Sequence, residues 1–252
     1  NAEEVLGRLF YEMNIHERLF IATKISLWSF RLNSKQAGID QMEESEKVLG
    51  KAPLDLIQVH NLNDLDTQWQ NLQEWKQAGR IRYIGVTIYR YSQFDALEAF
   101  LRRATGVDFV QLNYSPIEPR ADEVLIPLAA EKGAAIIVNR PFGNGGYFSR
   151  VGGLELPPWT LEFDCDSWAQ FSLKWILGNP DVTLLVPAAQ AVAAGTVGEG
   201  KHVTSSAKTL AFPRTRRRSS QAKPRWIGCV SSRPVATIPT WRRSISILAV
   251  IC

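Results

Sequence analysis

The chain is poor in the residues that staple or metallate a fold: its 252 positions hold three cysteines, three histidines and two methionines. Cys165, Cys229 and Cys252 stand far apart, form no C-x-x-C pair and have no neighbouring histidine. That spacing excludes a disulfide framework and a zinc site as readings of the sequence. Long apolar runs are also missing. The longest, Ile245–Cys252 with one serine, falls well short of the ~18 residues that a membrane-spanning helix needs. A soluble chain in a reducing cytoplasm, with neither membrane nor metal as partner, is the expectation.

Acidic residues disappear partway along. Residues 1–200 hold 18 Lys+Arg and all 25 Asp+Glu, whereas residues 201–252 hold 11 Lys+Arg and no acid. A segment of net charge −7 is thus joined to one of +11, and two different compositions share one chain. The chain is read as a folded region over 1–188 followed by a basic tail over 189–252. The tail mixes Ser, Thr, Pro and Arg with neither the helical nor the strand period, so it is expected to be disordered. Its acid-free, arginine-rich composition resembles translation in a shifted reading frame.

What the first region does have is alternation. Asn1-Ala2-Glu3-Glu4 reads as a helix cap with acids in the first turn, followed by an apolar stripe of Val5, Leu6, Leu9, Phe10 and Met13. A chain seldom starts on a helix cap, so further residues are expected upstream. Six short β-branched or apolar runs predict strands over Leu19–Thr23, Leu54–Val59, Tyr83–Val86, Phe109–Leu112, Ala135–Val138 and Thr183–Val186. Amphipathic stretches between them predict helices over Asp40–Leu49, Asp64–Ala78, Ser92–Arg103, Pro119–Lys132 and Asp166–Leu177, several closed by glycine. Strands that recur about every 25–50 residues with crossover helices are the units of a TIM (β/α)8 barrel, here incomplete, with about six of eight strands present. Gly143–Pro158, rich in glycine, is expected to be a long loop on the active face.

Barrel enzymes place their chemistry at the carboxyl ends of strands. Lys24 closes Phe20-Ile21-Ala22-Thr23-Lys24, and His60 closes the apolar run that ends at Val59. A strand-end lysine is more often a solvated rim residue, and a strand-end histidine more often a hydrogen-bonded structural one, so position alone does not decide. The other strand ends carry neutral amides and hydroxyls: Thr87, Gln111, Asn113 and Asn139, with Arg140 next to the last.

With these residues in place the sequence resembles the aldo-keto reductase family, in its bacterial oxidoreductase branch. The resemblance rests on FIATK, LDLIQVHN, GRIRYIGVTIY, DFVQLNYSPIEPRADEVLIPLA, AIIVNRPF and SWAQFSLKWILGNPDVTLLVPA, in order and at family spacing, over roughly residues 1–188. It implies an NADPH-dependent (NADP-linked) oxidoreductase that reduces a small aldehyde or ketone by hydride transfer, while a tyrosine hydroxyl, assisted by Lys, His and Asp, protonates the oxygen. Lys24 and His60 match two of those four. Thr87, Gln111, Asn113, Asn139 and Arg140 fall at cofactor-binding positions, and Trp28 borders the substrate pocket. Asn139 stands where many members stack an aromatic ring, and Ile88 replaces a polar residue.

The family's tyrosine and aspartate match no residue of this sequence. The match stops at Pro187-Ala188, ahead of the helix with which the family binds the cofactor phosphates. The chain is therefore expected to turn over poorly. A non-catalytic nucleotide-binding barrel subunit is the first alternative. The second is nucleic-acid binding through Arg214, Arg216, Arg217, Arg218, Lys223 and Arg225, but a basic run is usually solvated and no recognised nucleic-acid module accompanies this one.

Overall fold

The computed structural model describes residues 2–27, 34–186 and 248–250. Seven parallel strands form one sheet: β1 (Phe20–Ile25), β2 (Leu54–His60), β3 (Ile81–Thr87), β4 (Phe109–Asn113), β5 (Ala135–Asn139), β6 (Val182–Leu185) and β7 (Leu248–Val250). Their order is β6-β5-β4-β3-β2-β1-β7, so β1 to β6 lie side by side in chain order. The helices are α1 (Ala2–Met13), α2 (Lys35–Leu49), α3 (Leu65–Gln77), α4 (Phe94–Arg103), α5 (Leu125–Glu131), α6 (Gly146–Val151) and α7 (Trp168–Leu177). Parallel neighbours need a crossover, and α2, α3, α4, α5 and the α6–α7 pair supply it between successive strands. No helix among the described residues is long and apolar enough to cross a membrane.

Alternation along each strand builds two cores. Ile21, Ile57, Ile84, Val110 and Ile136 face the helices in one large cluster, and each such buried side chain contributes about 1.5–3 kcal/mol. The opposite face carries Ala22, Leu56, Phe109, Ala135 and Ile137, with Phe20, Tyr83 and Leu184 packed against them. The ring centroids of Phe20 on β1 and Phe109 on β4 are 5.9 Å apart. In a flat sheet, strands three places apart would be separated by about 14 Å. The sheet therefore curls around this second face, as a barrel wall does.

Three expectations need correction. The first strand does not stop at Thr23: it runs to Ile25, so Lys24 lies inside it, half-buried on the curled face. The second helix begins at Lys35 rather than Asp40, because Ser34 accepts the Ala37 N–H at 3.1 Å and caps it. Gly143–Pro158 is not structureless. It forms a 3-10 turn at Gly143–Gly145 and then α6, and a second 3-10 segment runs over Pro158–Phe163. Trp159, on that segment, packs edge-on against Phe171 of α7 at 5.8 Å. Near the end of the chain, β7 pairs with β1 from Phe20↔Leu248 to Ala22↔Val250. The rest of 189–252, including the basic run, lies outside the described residues.

Candidate active site

Side chains two residues apart on a strand share a face, and strand register decides which of them become neighbours. Lys24 pairs with Gln58, and Gln58 with Gly85. Two residues further on, His60 pairs with Thr87 and Thr87 with Gln111. One level higher again, Asn113 pairs with Asn139. The curled face is thus apolar at its amino end and polar at its carboxyl end. Gly85 makes the close approach between β3 and β4 possible, since a Cβ there would lie 2.3 Å from the Phe109 carbonyl oxygen.

Gln58, Gln111 and Asn113 on this face are buried and Asn139 is half-buried, and the amides of Gln58, Asn113 and Asn139 are oriented by what their nitrogens meet. Gln58 Nε2 donates to the Val86 carbonyl at 3.3 Å, Asn113 Nδ2 to Glu118 Oε2 at 3.2 Å, and Asn139 Nδ2 to the Ile88 carbonyl at 2.8 Å. An amide oxygen could not take any of those places, so the oxygens must point elsewhere. Gln58 Oε1, Gln111 Oε1, Asn113 Oδ1 and Asn139 Oδ1 are all buried with no hydrogen-bond partner among the described residues. A buried polar atom left unpaired costs about 1–3 kcal/mol. Four acceptors on one face therefore suit a ligand that brings N–H donors, such as a carboxamide.

Arg140 is held differently. It adopts φ 52°, and its guanidinium donates to the Tyr89 carbonyl at 2.6 Å and to Asn144 Oδ1 at 3.0 Å. Together with Asn139 it ties the end of β5 to the segment after β3, across β4. Trp28 lies outside the described residues.

His60 is half-buried, and its Nδ1 lies 2.7 Å from Ser26 Oγ. Burial first, and the nearby Lys24 ammonium second, push its pKa down to about 4. The imidazole is therefore neutral at neutral pH, one nitrogen donating and the other accepting. The folded-state pKa lies below the ordinary 6.5, so between about 6.5 and about 4 the unfolded chain binds the proton first. Stability is expected to fall as pH is lowered through that window, and His60→Asn is expected to remove that component. Urea midpoints at several pH values check it, and identical slopes for both chains would dismiss it.

Ser26 and Gln58 are residues that the strand-end reading passed over. Period two from Lys24 marks Ser26, and period two back from His60 marks Gln58, so the signal was present once the strands were given their full length.

Comparison with known proteins follows the same lines. The family model described as "Aldo/keto reductase family" matches residues 1–155. The chain is 28% identical over 138 residues to "Aldo-keto reductase YhdN" of Bacillus subtilis (strain 168), which covers 52% of this chain and 40% of that protein. It is 28% identical over 141 residues to "Aldo-keto reductase AKR2E4" of Bombyx mori, covering 50% and 42%. The chain thus spans about two-fifths of the length of these relatives. Among solved structures, the aldo-keto reductase AKR11C1 from Bacillus halodurans in its holo form superposes with a TM-score of 0.58 at 22% identity. That match covers 81% of this chain and 73% of the other. Likeness at that identity speaks for the fold alone.

Proposed function

Because the chain belongs to the aldo/keto reductase family, we propose that its polar sheet face is the carbonyl end of an NADPH-dependent oxidoreductase site that reduces a small aldehyde or ketone. The observation that carries this reading is the group of four unpaired buried amide oxygens beside Lys24 and His60. When bound, NADPH supplies the hydride. Gln111, Asn113 and Asn139 are the acceptors that would take up the two N–H groups of its nicotinamide carboxamide, and the Thr87 hydroxyl lies in the same row as Gln111. Asn139 offers a hydrogen bond in place of a stacked ring, and Arg140 sets the shape and charge of the rim. A neutral His60 would donate its one N–H to the carbonyl oxygen and so polarise it. The Lys24 ammonium places a positive charge where negative charge grows on that oxygen. Turnover in this chain is impaired, since no residue matches the family's tyrosine.

Titrating the chain with NADPH, followed by nicotinamide fluorescence, tests the cofactor reading, and no saturable binding would refute it. Gln111→Leu supplies a sharper check, because its two effects should have opposite signs. Removing an unpaired buried oxygen is expected to stabilise the unliganded chain by about 1 kcal/mol, whereas losing the acceptor weakens NADPH binding about tenfold. A variant that gains stability and loses no affinity would remove Gln111 from the site.

A further inference from the structure

Ser26 follows directly on β1, and nothing in the family match gives it a role. The register Ile25↔Val59 makes Ser26 and His60 the next pair along the two strands. Their side chains meet, with Oγ 2.7 Å from Nδ1. Ser26 is itself held from outside the sheet, its backbone N–H donating to Gln41 Oε1 of α2 at 2.9 Å. We infer that Ser26 is a positioning residue that fixes the tautomer of His60, donating its hydroxyl proton to Nδ1 so that the imidazole proton resides on Nε2.

A neutral imidazole carries one N–H, and the partner of one nitrogen decides which nitrogen holds it. A serine hydroxyl has one proton to give, and among the described residues His60 is its one hydrogen-bond partner. If the hydroxyl donates to Nδ1, both groups are used. If it accepts from an Nδ1–H instead, its own proton is left without a protein acceptor in a half-buried place. The first arrangement is preferred, and it puts the donor on Nε2, the ring nitrogen farther from the backbone. Gln41 makes this dependable by pinning the serine from α2, so the helix after β1 reaches the imidazole on β2 through one side chain. The catalytic meaning of the tautomer rests on the reductase reading, because a carbonyl needs a donor at Nε2. The tautomer itself does not.

The imidazole nitrogens can be read directly by long-range proton–nitrogen correlation spectra of chain labelled with 15N-histidine, at neutral pH. With three histidines, His16, His60 and His202, the spectrum holds few signals. His16, packed edge-on against Phe10 and Tyr11, reports whether the fold persists. The expected result is an Nε2–H tautomer for His60 in the parent chain, a shift of about fivefold towards Nδ1–H in Ser26→Ala, and recovery in Ser26→Thr, which keeps the hydroxyl. An Nδ1–H tautomer in the parent overturns the inference, as does an unchanged ratio in Ser26→Ala with the His16 signals in place. If Ser26→Ala does not fold, the parent spectrum decides alone. No turnover or cofactor enters this measurement, so a chain that fails to bind NADPH would refute the reductase reading and leave the tautomer result standing.

Discussion

Replacing Asp55 by alanine is expected to lower the unfolding free energy by about 3–5 kcal/mol. Asp55 is 1% exposed at the amino end of β2, opposite the polar mouth. It meets the buried Lys51 ammonium at 2.6 Å and Arg82 at 3.1 Å, and it accepts the Ile21 N–H at 2.8 Å. One carboxylate therefore joins three adjacent strands. Lys51 also donates to the Leu19 carbonyl at 2.6 Å, so it cannot swing out to water without breaking that bond too. Alanine would leave a buried ammonium uncompensated and a strand N–H without its acceptor. The cost comes from the stranded charge more than from the pair itself, and a second variant separates the two. Lys51→Met combined with Asp55→Asn removes both charges and keeps an oxygen for Ile21, and it is expected to lose less than Asp55→Ala alone. Urea unfolding of both chains checks the order. A loss below about 1 kcal/mol for Asp55→Ala would mean that Lys51 finds water.

This ion pair was not legible in the sequence. Lys51 and Asp55 are four residues apart, but that spacing suggests a helix face, whereas here a loop leads into a strand and the partners on β1 and β3 come from register. Periodicity served well where burial was uniform. The strand β5 was located to within a residue because Ala135–Val138 is an unbroken apolar run, and β2 and β4 because apolar residues flank the few polar ones within them. It failed where polarity has a local cause. Lys24 read as the end of a strand because a charge seldom enters a sheet interior, yet the curled face turns polar at that level and the strand continues to Ile25. The helix expected to start at Asp40 starts earlier, where Ser34 caps it, and Asp40 accepts from Gln36 on the helix surface at 2.7 Å. Asp64, where the next helix was expected to start, precedes α3 in the left-handed region at φ 47°, and its carboxylate accepts from Gln68 instead of the helix backbone. The titratable and amide residues of the mouth were legible as residue types at strand ends. The direction in which each amide points was not, since it depends on carbonyls contributed by neighbouring strands.

The 252-residue chain on its own is expected to bind NADPH and still reduce a reactive aldehyde about 100–10,000-fold more slowly than a full-length aldo-keto reductase assayed beside it, the range that one general acid contributes. Carbonyl reduction has to deliver a proton to oxygen, and the question is which group here can give one. His60 is already neutral at neutral pH, so its N–H can polarise the carbonyl but is a poor source of a proton. Tyr83 carries a hydroxyl on the curled face, but it stands four residues before Thr87, about 13 Å down the strand, stacked on Phe20. Burial also raises its pKa above the ordinary value. Of the residues placed at the polar mouth, Lys24 alone is an ammonium. The residual rate is therefore expected to depend on it, with Lys24→Met abolishing most of what remains while NADPH affinity changes little. Absorbance at 340 nm, with each variant compared at saturating cofactor, reads both quantities. An ordinary rate from the parent chain would overturn the impairment. A residual rate indifferent to Lys24→Met would assign the proton to water.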